Sequence, residues 1–311
     1  MTDSNTDEAY EESYEALQNE ISDLELRLQR AKKRLTKSQP ATKQNGTSSS
    51  SIPSTPSAQS AHHYLLLLSD SALPLGSFAF SSGLESYLAH TRRRGPSPSA
   101  SSSSFSSFLP LSLSSYASTT LPFALAAHRN PSSENAANLD DELDAAIVCR
   151  VGRRASVAQG RALLAIWEKS IASSLSSQTP SSTLKTYSDL LRSTSSTSKG
   201  SDTKGLPPPV SAHLPPLFGA ISSLCGLTAH QAAYIFMLNH AKALVSAAVR
   251  AGLFGPYQAQ RVLAGQEVQT YITAVVDREW DTRVEDAGQN VPVMDFWVGR
   301  HELLYSRIFN S

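Results

Sequence analysis

The stretch TAHQAAYIFMLNHAKALVSAAVRAG, residues 228–252, predicts one long helix with a signal at each end. Thr228 and Gln231 have the spacing of a capping box, in which each side chain bonds the backbone N–H of the other residue. Apolar residues then recur at helical spacing: Ala232, Ile235, Phe236, Leu244, Val245 and Ala248. Gly252 suits the position just past a helix end, where the chain turns left-handed. These features indicate a helix with an apolar face, and they set the expectation for the segments around it.

Segments on both sides of this helix have the same character. Pro256 suits the first position of the next helix. The apolar positions of residues 140–172 fall mostly on one face and predict the longest helix, while residues 105–129 are apolar and helix-like. Ser82 and Glu85 have the spacing of a second capping box. Because no convincing series of alternating strands occurs, the sequence predicts an all-α fold.

The first forty residues carry a heptad pattern. Its apolar seam is Tyr10, Tyr14, Leu17, Ile21, Leu24, Leu28, Ala31 and Leu35. Residues 1–40 are thus predicted to form a helix, either paired as a coiled coil or single and solvated. Residues 41–62 are polar and predict a disordered linker. Residues 63–311 are predicted to form one helical domain, with disordered Ser/Pro-rich insertions near 93–107 and 173–209.

The overall composition excludes several classes of function. The chain has 311 residues, and its 27 basic side chains balance its 27 acidic ones, so no net field favours nucleic acid or an anionic membrane. Cys149 and Cys225 stand alone in apolar surroundings, which argues against a disulfide framework and against a thiolate metal cluster. The acidic N-terminus is unlike a secretory signal, and no apolar run is long enough to span a bilayer. We therefore expect a cytoplasmic protein without nucleic-acid or membrane partners.

A search for catalytic motifs finds none. The sequence has no GxxxxGK[ST] phosphate loop, no GxGxxG and no CxxC. His301-Glu302 is not a zincin motif, because Tyr305 occupies the position of the second histidine. His62-His63 lies at the edge of the linker and is at best a weak metal site. We therefore predict no catalytic residues, no metal site and no cofactor of the chain's own.

Three blocks look over-specified for a plain helical core. The first is LSDSALPLGSFAFSSGLE, residues 68–85, which fits either a rigid packed loop or an ordinary turn between helices. The second is RRASVAQGRALL, residues 153–164, whose small residues allow close helix approach and whose polar ones either reach a partner or form a solvated face. The third is MDFWVGRHELLYSRIFNS, residues 294–311. Its aromatic residues and arginines fit an interface hot spot, although a tail docked on its own core is the alternative.

These blocks, in this order, resemble the UreF family of urease accessory proteins. The family patterns that they match are L-S-x-x-x-L-P-x-G-x-F-x-x-S-x-G-L-E, R-x-x-S-x-x-Q-G-x-x-L-L and H-E-x-x-Y-S-R-x-F-x-S. Residues 217–260 also resemble the C-terminal helical half of the family. The resemblance covers about residues 63–172 and 210–311. It departs from the family pattern at Gly76-Ser77, where Gly-Gly is usual.

The resemblance implies an all-α homodimer with no reaction of its own. Such proteins bind the accessory protein UreD, called UreH in some organisms, recruit the GTPase UreG and dock on apo-urease. They support the insertion of nickel, which is the ion that the complex delivers. An alternative is a helical adaptor that acts through its N-terminal coiled coil on an unrelated client, and deletion of residues 1–62 would separate the two.

The resemblance also implies which residues bind partners. The expected UreD contacts are in the tail, with the first two residues at its base: His301, Glu302, Tyr305, Arg307, Phe309 and Ser311. The expected dimer or UreG surface uses the first and second blocks: Pro74, Gly76, Phe78, Ser81, Gly83, Glu85, Gln159, Gly160 and Arg161.

Overall fold

The computed structural model describes residues 58–70, 73, 76–91, 98–175, 183–197 and 210–310. These residues form α-helices, short 3-10 turns and one π-helical turn (Trp167–Ile171, followed by the short helical turn Ala172–Ser174) without any β-strand, which confirms the predicted all-α fold. The first helices are α1 (Ala58–Leu68), α2 (Leu84–Thr91), α3 (Pro98–Arg129), α4 (Ser133–Ala146), α5 (Arg150–Ile166) and α6 (Lys185–Thr197). The later ones are α7 (Leu214–Leu224), α8 (Ala229–Arg250), α9 (Pro256–Ala264), α10 (Gln266–Glu279) and α11 (Val293–Arg300). The predicted heptad helix, residues 1–40, lies outside the described residues, as does most of the predicted linker.

Helix α8 has the ends that the sequence predicted. The Thr228 N–H donates to Gln231 Oε1 at 2.9 Å, and the Gln231 N–H donates to Thr228 Oγ1 at 3.2 Å, which confirms the capping box. Gly252 has a φ of 72° and follows the last turn, as expected. By length and composition α8 could cross a bilayer, but 61% of its most apolar window is buried among the other helices. That burial is typical of a core helix.

Helix α3 is the central element of the fold and packs against α7, α8 and α10. Its buried face carries Phe108, Leu113 and Leu121. Helix α7 approaches α3 so closely that a Cβ at Gly219 would stand 2.8 Å from the carbonyl carbon of Ala124. The core thus depends on backbone contact between two helices as well as on apolar side chains.

Both predicted Ser-rich insertions are partly helical, contrary to expectation. Helix α3 begins at Pro98, inside the stretch predicted as a disordered insertion near 93–107. Phe105 is buried in this part of the helix, so burial compensates for the modest helix propensity of the serines. Helix α6 lies inside the insertion predicted at 173–209, because Leu184 and Tyr187 are both buried against the core. Here the apolar spacing outweighs the polar composition.

Two predicted boundaries also differ. The single helix predicted over 140–172 is two helices, which are separated at residues 147–149. Ile147 and Val148 are β-branched, Ile147 adopts an extended conformation, and Cys149 caps the start of α5. Helix α1 begins at Ala58, inside the predicted linker. Its Tyr64 and Leu68 side chains are buried, so one face of the helix packs against the core.

Candidate protein-interaction site

The C-terminal segment folds back onto the core and is held there by Glu85. After α11, residues His301–Leu303 form a 3-10 turn. Glu85 Oε2 accepts hydrogen bonds from His301 Nε2 at 2.9 Å and from the Phe309 N–H at 3.2 Å. Glu85 Oε1 accepts from the Ile308 N–H at 2.7 Å. We call residues 303–308 the tail loop. One carboxylate therefore binds the chain before this loop, at His301, and again where the loop ends, at Ile308 and Phe309.

Further contacts fix the end of the chain. The Asn310 N–H donates to the carbonyl of Ala79 at 2.7 Å. The Phe309 side chain is only 4% exposed, and the Arg250 guanidinium lies 4.4 Å from the centre of its ring. Arg154 donates to Glu302 Oε1 at 2.9 Å and to the Asn310 carbonyl at 3.3 Å. The first, second and third sequence blocks are therefore brought together at this point.

The tail loop itself projects away from the core. Tyr305 is fully exposed, at 107% of its reference area, and Leu303 is 79% exposed. Ile308 is 64% exposed, and Arg307 is also exposed. The loop thus exposes several large apolar side chains together with an arginine. This composition is typical of a protein-binding surface. Of the tail residues that we expected to contact a partner, Tyr305 and Arg307 are accessible and Phe309 is not, while Ser311 lies outside the described residues.

The first block supplies the surface on which the tail rests. Gly83, with a φ of 85°, lets α2 approach α11, because a Cβ there would be 2.9 Å from the Val298 nitrogen. The predicted capping box of Ser82 and Glu85 is wrong: Ser82 is left-handed, with a φ of 49°, and it is Ser81 Oγ that accepts the Glu85 N–H, at 3.4 Å. The Glu85 side chain is committed to the tail instead.

The remaining residues of this block differ in accessibility. Ser81 is buried, whereas Phe78 is 63% exposed and lies 5.9 Å from the Arg250 guanidinium. Gly76 has a φ of 85°, with no other atom near its missing Cβ, so the left-handed turn is the reason for glycine there. Pro74 lies outside the described residues.

The second block holds the segment that leads into α7. A Cβ at Gly160 would lie 2.6 Å from the His213 carbonyl carbon and 2.7 Å from the Leu214 nitrogen. Arg161 Nε donates to the Ser211 carbonyl at 3.2 Å, although its side chain is exposed. Gln159 Nε2 donates to the Ala155 carbonyl at 3.2 Å within α5. The close approach of residues 212–214 is therefore sufficient to explain glycine at position 160.

Sequence reasoning missed the acidic residues that hold the same segment. Asp140 is fully buried, and its carboxylate accepts backbone N–H groups from Ser211, Ala212 and His213 at 2.5, 3.2 and 2.6 Å. Ala212 has a φ of 70°, which is unusual for alanine. The three bonds stabilise this unfavourable backbone. The only signal in the sequence was a charged residue on an otherwise apolar helix face.

A hydroxyl, an imidazole and a second carboxylate lie in line beside it. Ser156 Oγ is 3.0 Å from His213 Nδ1, and Asp144 Oδ1 is 2.9 Å from His213 Nε2. Arg153 binds Asp144 with two nitrogens. Burial raises the pKa of Asp144, but the bonds from His213 and the charge of Arg153 outweigh it, so the pKa is lower than usual.

These groups have the order of a hydrolase triad but not its surroundings. Ser156 lies within α5, where backbone N–H groups are used in helical hydrogen bonds and form no oxyanion site. Its oxygen also accepts the Leu214 N–H at 3.3 Å. The line of groups is therefore a structural network that joins α4, α5 and the start of α7.

A cavity of about 190 Å³, lined more by apolar than by polar surface, adjoins this network. Its walls include Ser82, Ser115, Thr119, Cys149, Gln159 and Asp295. Tyr116, at its inner wall, stacks on His240 with 3.9 Å between ring centres, and Ser112 Oγ is 3.0 Å from His240 Nε2. Burial lowers the pKa of His240 to about 3, so this imidazole is neutral. Among the described residues, no three His, Cys, Asp or Glu side chains are grouped to hold a metal ion.

Comparison with known proteins gives one consistent result. The profile of the UreF family matches residues 100–267. A "urease accessory protein UreF-like" protein of Schizosaccharomyces pombe is 35% identical over 254 residues, which cover 82% of this chain and 99% of that protein. Urease accessory protein F of Oryza sativa subsp. indica is 31% identical over 242 residues, 78% of this chain and 82% of its own. Urease accessory protein UreF of Paenarthrobacter aurescens is 31% identical over 246 residues, 78% and 95% of the two chains.

Proposed function

Since the chain belongs to the UreF family of urease accessory proteins, we propose that it is a scaffold without catalytic activity that supports nickel insertion into apo-urease. In this proposal a homodimer binds UreD through its tails and recruits the GTPase UreG. Nickel is the cargo of the assembled complex and is not a resident ion of this chain. The chain carries out no reaction of its own.

The tail loop is the observation that carries this proposal. It places the exposed Tyr305, Leu303 and Ile308 side chains on a short loop whose base is fixed to the core. Aromatic side chains with few rotatable bonds lose little entropy when they enter a partner pocket. The loop therefore fits a UreD surface that offers an apolar groove.

Charge suggests what borders that groove. Arg300 and Arg307 are both exposed and flank the projecting Tyr305. Guanidinium groups form bidentate hydrogen bonds with carboxylates, so acidic side chains on UreD beside the groove would complement them. Glu302 is already paired with Arg154, which leaves Arg307 in the loop and Arg300 before it to set the charge of this part of the surface.

The surface proposed for UreG or for the second copy is narrower than the sequence indicated. Gly83 and Gly160 serve internal backbone contacts, and Glu85 is bound to the tail. Of the proposed residues in the first and second blocks that the structure describes, Phe78 and Arg161 are the exposed ones. We assign the remaining contacts to the surfaces around these two residues.

Binding of UreD to variants of the tail tests the proposal. We expect Tyr305→Ala and Arg307→Ala each to weaken binding at least tenfold, because truncated hot-spot residues cost about 2 kcal/mol or more. Both side chains are exposed, so the thermal midpoint should stay unchanged. Truncation after Gly299 should abolish binding. Binding at full strength by all three variants, measured by calorimetry with purified UreD, would refute the assignment of UreD to the tail.

A further inference from the structure

We propose that Glu85 is a positioning residue that holds the tail loop in the shape that its partner binds. The proposal rests on the proposed function for the identity of the partner. Its physical basis is a single carboxylate that binds the chain before the loop, through His301, and where the loop ends, through Ile308 and Phe309.

The three hydrogen bonds occupy both oxygens of the Glu85 carboxylate. A carboxylate only accepts, so the ring nitrogen of His301 and the two backbone N–H groups are its donors. The Glu85 side chain is 12% exposed and lies under the segment that it binds. It cannot present an accessible oxygen to an incoming protein while the tail is in place. Its effect on a partner is therefore exerted through the loop.

Closing the loop at its base lowers the conformational entropy that the tail loses when a partner binds. A chain end that is fixed only at α11 samples many conformations, and a partner would have to order it at the moment of binding. The Glu85 bonds tie the far side of the loop to the near side, and the burial of Phe309 strengthens that closure. The projecting side chain of Tyr305 is then already ordered in the free protein. If the competent shape is only a fraction of the population, the measured affinity falls by that fraction.

Amide hydrogen exchange tests the clamp without any partner. In the full chain, Glu85→Ala should raise exchange at the Ile308 and Phe309 amides at least about tenfold, because a bond to a charged acceptor is lost at each. Glu85→Gln keeps the size of the side chain but replaces one acceptor oxygen with a donor, so it should raise exchange by less. Glu142→Gln, an exposed carboxylate on α4, is the matched control and should leave both amides protected. Unchanged protection in both Glu85 variants would overturn the proposal.

Binding kinetics with purified UreD then separate positioning from contact. We expect Glu85→Ala to lower the affinity about tenfold, mainly through a slower association rate, because fewer molecules hold the loop ready. Tyr305→Ala should instead raise the dissociation rate while the Ile308 and Phe309 amides stay protected. The role of Glu85 is refuted if its variants lose protection yet bind like wild type, whereas Tyr305→Ala binds weakly. The proposed binding of UreD through the tail fails instead if Tyr305→Ala and Arg307→Ala also bind like wild type.

Discussion

Replacement of Gly160 by alanine should destabilise the domain, although alanine is the better helix former. Gly160 lies within α5, against the segment that enters α7. The added methyl group would be 2.6 Å from the His213 carbonyl carbon, 2.7 Å from the Leu214 nitrogen and closer still to the Ala212 oxygen. All three are backbone atoms, and the segment is pinned by Asp140, so no flexible side chain can move aside.

Two opposing terms give the size of the effect. Overpacking of this kind costs about 1–3 kcal/mol, and three short backbone contacts place this site at the upper end. The gain in helix propensity from glycine to alanine recovers at most about 1 kcal/mol. We therefore expect a net loss of about 2 kcal/mol, which lowers the thermal midpoint by roughly 4–8 °C for a domain of this size.

Gly152, on the same helix, provides the control. A Cβ there would meet its nearest atoms, Cys149 Cβ and Val298 Cγ1, at 3.8 and 3.9 Å, which are ordinary contact distances. Gly152→Ala should thus be neutral or stabilise by up to about 1 kcal/mol. Urea unfolding followed by circular dichroism measures both variants. An unaltered or raised midpoint for Gly160→Ala would show that the segment before α7 yields, and that the packing argument is wrong.

Three further changes test other parts of the fold. Asp140→Asn should lower the stability by about 3 kcal/mol, since an amide nitrogen then faces buried N–H donors, and a thermal midpoint within 2 °C of wild type would contradict this. The pKa of His240 falls from 6.5 when the chain is unfolded to about 3 when it is folded, so its contribution to stability is complete above pH 6.5 and is lost as the pH falls below that value. His240→Gln should therefore remove about 1.4 kcal/mol per pH unit from the acid dependence of stability between pH 6 and pH 4, and urea midpoints with equal slopes in both proteins would refute the shift. Arg154→Ala breaks a pair whose side chains are 55% and 46% exposed, so it should cost less than about 1 kcal/mol, and a larger loss in the same urea titration would mean that this pair, rather than Glu85, holds the tail.

Sequence patterns predicted the helices whose signals are local. The capping box of Thr228 and the glycine at 252 depend on neighbouring residues only, and both occur as expected. The failures came from distant contacts. Ser82 and Glu85 have the spacing of a capping box, but Glu85 finds its donors more than two hundred residues later in the chain. The spacing of neighbouring residues cannot show that these distant donors compete with the helix terminus for the Glu85 carboxylate.

In the candidate site, too, the sequence predicts local features but not those that depend on distant contacts. Composition predicts the tail as a contact surface, because residues 294–311 combine aromatic residues with arginines. It could not distinguish Tyr305, which is exposed, from Phe309, which is buried beside Arg250. Both are aromatic residues of the same block, and only the fold of the tail separates them. Likewise, the approach of residues 212–214 to Gly160 cannot be inferred from the helix that contains it.

Urease activity in a host that lacks its own UreF tests the central proposal most directly. We expect the full chain to restore urease activity when it is expressed with the other accessory proteins, and Tyr305→Ala at the same protein level to restore markedly less. A folded, fully expressed chain that leaves urease inactive would contradict the proposal that this protein supports nickel insertion.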